Sequence, residues 1–506
     1  MTILLSNRRL FLVCLVLLSV GCSRNTQPPS TGPQLSLMYN TEEQATEKTV
    51  TAQVIQSQLK EKGISVTLEP VTNAVFYDRI AKADYQAALA LWYVDYDDPE
   101  GFLTDFYSKA GFRMAKYSNP TYDDLYERGL FAKTEKEKLQ RFHEATALVD
   151  RQLPWIPLYS NSELFVLRKG TEGFVSNAYQ YYDYRGVQKS DLRVATDVEV
   201  QSLDPALAYD LASKHIVTQS YEGLIALAPD GQLVPMLATD WRIVRDGNQI
   251  DFHLRAGVHF QGKWNHALTA SDVKSSFERM LRVNSPYAYI FDQVEGVPAF
   301  KEKKAKEVSG FVASAPGVFS IRLSRPFPTM MEWLLAPAAY IVPRETSDKF
   351  DFTKESVGTG PFVLKSWDGV QARFDANGNY WAQAQQSHPL PRTLSLRVMK
   401  DVNTQFAAFR QGELDILNIP LALFNEFLEA DGSVRPSSEY SYREVKLNNL
   451  KFITFNMQKA PYGRDEALRR RVSESLNRSA MVKQLFKGRA REATSIVPPE
   501  MFRTNR

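Results

Sequence analysis

Between Leu35 and Glu69 the chain reads as strand, helix and strand, an order that calls for a parallel sheet with a helical crossover. Leu35 to Tyr39 is a short apolar run. Val50, Val54, Ile55 and Leu59 then share one face of a helix, which Gly63 can end in the left-handed conformation. Ile64, Val66 and Leu68 alternate with Ser65, Thr67 and Glu69, the period of a half-buried strand. The unit predicts an α/β protein. Thr134 with Glu137, and Thr269 with Asp272, mark two more helix starts. The first precedes the apolar stripe Leu139, Phe142, Ala145 and Leu148 or Val149, and the second precedes Val273, Phe277, Met280 and Leu281.

A chain of 506 residues, 44% of them hydrophobic, has material for two to four such domains. Lys and Arg exceed Asp and Glu by only 61 to 58, so a net charge of +3 gives no basic field for a phosphate backbone, and nucleic acid is excluded as a partner. Both cysteines, Cys14 and Cys22, fall in the first 22 residues, which leaves no disulfide framework or Cys-rich zinc site for the remainder. His253 and His259 read as surface or core imidazoles, and neither a metal nor a cofactor is expected.

The first residues read as an address. Arg8 and Arg9 precede an apolar run, Leu10 to Val20, that is too short to span a bilayer, and Leu18-Ser19-Val20-Gly21-Cys22 has the form of a lipoprotein cleavage site. Residues 1–21 are expected to be removed and Cys22 to carry lipid, which would hold the protein to a bacterial membrane in the periplasm or at the cell surface. Residues 22–33, rich in Ser, Thr and Pro, form the tether.

Catalytic signatures are missing. There is no H-E-x-x-H, no G-x-S-x-G, no P-loop lysine sequence and no G-x-G-x-x-G, so no enzyme is expected. One acidic cluster stands out, Leu91-Trp-Tyr-Val-Asp95-Tyr-Asp-Asp98-Pro99-Glu100, after an apolar run from Tyr85 to Ala90. Asp98, Pro99 and Glu100 fit a helix start. Asp95 has no such role: it reads as a turn residue or a surface charge, or, at a strand's end among aromatic rings, as an ionised carboxylate that needs a partner to offset its desolvation.

Trp92-Tyr-Val-Asp95-Tyr-Asp-Asp-Pro99 resembles the W-x-x-D-Y-x-D-P segment of the solute-binding proteins of oligopeptide and dipeptide ABC importers, family 5. Tyr221-Glu-Gly-Leu-Ile225, Leu233 to Trp241, Phe252 to Phe260, Leu268 to Val273, Gly358-Thr-Gly-Pro-Phe362, Asn379-Tyr-Trp381, Phe409 to Asp415, Phe455-Asn456 and Leu476-Asn-Arg478 resemble further segments of it. The resemblance covers nearly all of residues 34–501. It implies a two-lobed fold like that of type II periplasmic binding proteins, with an extra domain. Residues 34–190 resemble the part that normally comes last, so the order reads as circularly permuted, the old ends joined through about Arg185 to Ser190, a reach of about 20 Å. A rearranged gene whose product folds poorly is the rival reading.

On this basis 34–160 and 383–506 are expected to form one lobe, 161–225 and 291–382 the second, and 226–290 the small extra domain. The resemblance implies a monomeric binder that delivers peptides to an ABC-type permease. Asp95 would hold the peptide's α-ammonium, Leu91 and Tyr93 would offer strand backbone, and Trp92 would wall the site. The alternatives are a same-fold binder of another ligand, such as a nickel chelate, sugar or murein peptide, and a structural or sensory lipoprotein.

Overall fold

β1 (Leu35–Asn40), β2 (Val66–Val71) and β3 (Ala87–Tyr93) open a six-stranded sheet, with β1 parallel to both neighbours. The computed structural model describes residues 33–41, 45–94, 96–229, 231–385 and 388–502; residues 1–21, Cys22, the tether up to residue 32 and Asp95 lie outside the described residues. Beyond β3 the sheet continues antiparallel through Asn449–Phe455, β4 (Trp155–Ser160) and Arg491–Glu492, so its strands come from opposite parts of the chain. Both of its faces are buried, and the strand period of two sorts side chains between two cores. Leu35, Leu37 and Leu89 pack on helix Ala45–Glu61 through Ile55 and Leu59. Met38, Ala88 and Phe452 face the opposite core, where Trp155 stacks on Phe452 at 3.7 Å. Ala52 joins Ile55 and Leu59 on the buried face of that helix, while Val50 and Val54 flank it. Gly63 ends the helix at φ +72°.

A second sheet runs Phe362–Trp367, Gln371–Ala376, Thr393–Val398 and Asp191–Thr196, the last two parallel. A third takes Ala238–Val244, Gln249–Leu254, Val318–Arg322 and Phe311–Ala315, covered by helix Ala270–Arg282. Thr269 and Asp272 cap that helix reciprocally. These pairings correct the expected boundaries. Thr393–Val398 lies within 383–506 yet pairs with the second-lobe strand Asp191–Thr196, and the small domain draws in residues 311–322, which the sequence assigned to the second lobe.

β5 (Ser162–Arg168) departs from expectation in another way, because it pairs on both edges with Ile416–Asn418 and Tyr440–Lys446 instead of joining the second-lobe sheet. Its Leu164 and Val166 enter the hydrophobic core that holds Leu35, Ile55 and Leu89, while Phe165 and Leu167 enter a separate one with Leu192 and Phe362. One strand thus supplies alternate side chains to two hydrophobic cores. The connector that follows is built in: Val187 is fully buried, and Lys189 pairs at 2.6 Å with the buried carboxylate of Asp415, which also holds Arg193 at 2.9 Å.

Candidate functional site

The site expected from the sequence lies at the carboxyl end of β3. Leu91, Trp92 and Tyr93 are half-buried and lie opposite Lys451, Leu450 and Asn449. On the other edge the paired register with β1 ends at Ala88; Leu89 and Ala90 beyond it are buried, and the strand becomes partly exposed only from Leu91 to Tyr93. Trp92 is fixed by its indole N–H, which donates to the Gly101 carbonyl at 2.7 Å, and by contact with Trp155. This ties the strand's end to the short helix Glu100–Leu103. Asp95 lies outside the described residues, and so does Cys22.

The loop after β3 is anchored by buried charge. Asp98 accepts from the Glu100 amide at 2.8 Å, although the helix that begins there has Pro99 and not Asp98 as its N-cap, and it also pairs with Lys138 at 2.5 Å. Both side chains are almost wholly buried, at 1% and 0% exposure. Lys138 further contacts Glu135 at 2.8 Å and Glu332 at 4.0 Å. Burial works against its ammonium, but the three carboxylates outweigh this and hold Lys138 above its ordinary value. Burial also pushes Glu332 up to about 7, with Asp98 and Glu135 adding to the rise and Lys138 opposing it. Beside this cluster Trp333 donates to the Tyr96 hydroxyl at 2.7 Å, and Tyr96 donates to Glu100 at 2.5 Å. Helix Met330–Trp333 is thereby locked onto the loop that follows Tyr93. Sequence reading found Asp98 and Glu100 but missed Lys138, Glu332 and Trp333, whose links to Asp98, to one another and to Tyr96 span 40 or more residues and leave no periodic trace.

Elsewhere a cavity of about 410 Å³ is lined by Tyr181, Glu222, Arg255, Tyr340, Tyr380 and Trp381, among others, and it does not include Leu91, Trp92 or Tyr93. Three segments singled out in the sequence meet at its wall. The buried carboxylate of Glu222 accepts hydrogen bonds from the hydroxyls of Thr359 and Tyr380 at 2.8 Å each and from the indole of Trp381 at 2.9 Å. The glycines beside Thr359 are explained by close approach: a Cβ on Gly358 would stand 2.0 Å from the Ser220 carbonyl oxygen. Asn377 secures the next turn, accepting from the Asn379 amide at 3.1 Å and donating to the Gly360 carbonyl at 2.9 Å.

Comparison with known proteins adds the following. A family model described as bacterial extracellular solute-binding proteins, family 5 Middle, matches residues 23–113 and 232–505. Protein XP55 of Streptomyces lividans is 28% identical over 304 residues, covering 59% of this chain and 51% of that protein. The dipeptide-binding protein of Escherichia coli K12 is 24% identical over 339 residues, 63% of this chain and 60% of that one. The chain thus spans between about half and three fifths of these relatives' length. Among solved structures, a periplasmic murein tripeptide-binding protein in its unliganded open form superposes with a TM-score of 0.43 at 23% identity, over 47% of each chain.

Proposed function

This chain belongs to the bacterial extracellular solute-binding proteins of family 5, α/β binders of two lobes, and on that premise we propose that it captures peptides in an extended form between the lobes. The observation that carries the reading is the partly exposed end of β3, Leu91 to Tyr93, where paired register with β1 has already ended and which Asp95 follows two residues later in the sequence. An extended peptide laid on that edge gains main-chain hydrogen bonds whatever its side chains are. Asp95 takes the α-ammonium, and closure excludes water, so a carboxylate left alone there costs several kcal/mol. Trp92, locked to Gly101, gives the site a rigid wall.

Delivery to an ABC-type permease and attachment through lipid on Cys22 complete the proposal. The chain order is read as a circular permutation. A connector, Arg185 to Ser190, that is short and tied down by Lys189 and Asp415 supports this. Calorimetry with a di- or tripeptide and its N-acetylated form tests the site. Free peptide is expected to bind at least tenfold better, with Asp95→Ala removing the difference. Equal binding of the two forms by the unmutated protein refutes the ammonium contact.

A further inference from the structure

We propose that His266, Asp272 and Glu345 form a binding site for a divalent transition-metal ion of the zinc class, at the amino-terminal end of helix Ala270–Arg282. One ligand atom from each lies within 4.8 Å of the other two. His266 Nε2 is 3.0 Å from a Glu345 oxygen and 3.9 Å from Asp272 Oδ1. An imidazole with two carboxylates is a donor set that suits zinc, whose ligand distances are about 2.0–2.2 Å. Closing the triangle to that radius asks for about 1 Å of movement, which Glu345 can supply because its side chain is 37% exposed.

The three residues are held from independent directions. His266 lies in a tight loop closed by the bridge between His259 and Ala267, with its ring edge-on to Phe260 at 5.1 Å. Its Nδ1 faces the Ala267 carbonyl at 3.0 Å. With the proton on Nδ1, the Nε2 lone pair and the two carboxylate oxygens converge on one point, where a metal ion, or a proton on Nε2, offsets their repulsion. Backbone carbonyls orient metal-bound histidines in this way. Asp272 is wholly buried, and its Oδ2 caps the helix through the Thr269 amide and hydroxyl. Its Oδ1 accepts from the Arg344 amide at 3.0 Å and faces the metal position.

In the absence of metal, positive charge comes from two sources. Arg344 places its guanidinium 3.5 Å from Asp272 and 3.3 Å from Glu345, but that side chain is 45% exposed and free to withdraw. The second is His266 itself when protonated, its Nε2–H then donating to Glu345 at 3.0 Å. Metal therefore competes with Arg344 and with the proton.

Isothermal calorimetry and thermal unfolding with zinc chloride on the full chain test the site, with His253→Ala as a control for adventitious imidazole binding. One zinc per chain is expected, with a rise in the unfolding temperature. His266→Ala and Glu345→Gln should each weaken binding at least tenfold, His253→Ala should leave it unchanged, and Arg344→Gln should tighten it. Glu345→Gln changes an exposed side chain and keeps the test open if His266→Ala folds poorly. Absence of zinc binding, or equal binding by the unmutated protein and Glu345→Gln, overturns the proposal.

Discussion

Replacing Lys138 with methionine probes whether buried charge holds the loop after β3. At an effective dielectric of about 20, a unit pair at the 2.5 Å of Lys138 and Asp98 is worth about 7 kcal/mol, and one at the 4.0 Å of Lys138 and Glu332 about 4. Desolvation takes back most of both. Glu135 adds little, since its side chain is 45% exposed and screened by water. What remains after Lys138→Met is a wholly buried Asp98 with no counter-charge, and breaking such a pair costs about 3–5 kcal/mol. At about 1 kcal/mol per degree for a chain of this length, that corresponds to a fall in unfolding temperature of roughly 3–5 °C. Urea denaturation at pH 7.5 should show the loss. The double variant Lys138→Met with Asp98→Asn, which keeps an oxygen to cap the Glu100 amide, should recover at least half of it. A loss below about 1 kcal/mol, or a double variant no better than the single, refutes the assignment of the anchor to this pair.

Two other outcomes follow from the same physics. Glu332 is raised from 4.5 to about 7, so the folded state binds its proton more tightly than the unfolded chain does; stability should fall as pH rises from about 4.5 through about 7 and level off above. Glu332→Gln should flatten that slope in urea midpoints taken between pH 5 and 8, and an unchanged slope would show that other groups set it. At Glu222, alanine should cost about 3 kcal/mol by leaving two buried donors and the half-buried indole of Trp381 unpaired, whereas glutamine, which can keep most of the contacts, should cost under about 1.5; equal losses in denaturant titrations would contradict the network.

Local features were legible because they obey short periods. The run from Leu35 to Leu68, the Thr134 cap accepting from the Glu137 amide at 3.2 Å, and the capping pair Thr269 and Asp272 all depend on residues within a few positions of one another. Strand partners were not legible. Thr393–Val398 alternates apolar and polar residues identically whichever sheet receives it, so the boundary at 383 had nothing in the sequence to correct it. Likewise Leu164 to Leu167 is a continuous apolar run, which signals burial on both faces but does not say that the two faces belong to different cores. At the site, Leu91, Trp92 and Tyr93 do lie together at a strand's end, whereas Lys138, Trp333 and the trio around His266 come together only through tertiary contacts.

The double allegiance of β5 makes the two halves thermodynamically indivisible. No cut separates them without splitting Ser162–Arg168 along its length, stripping Phe165 from one interior and Val166 from the other. Melting either half exposes what the other needs, so both should go in one calorimetric peak, and any swing of one against the other must be absorbed at the ends of this shared ribbon.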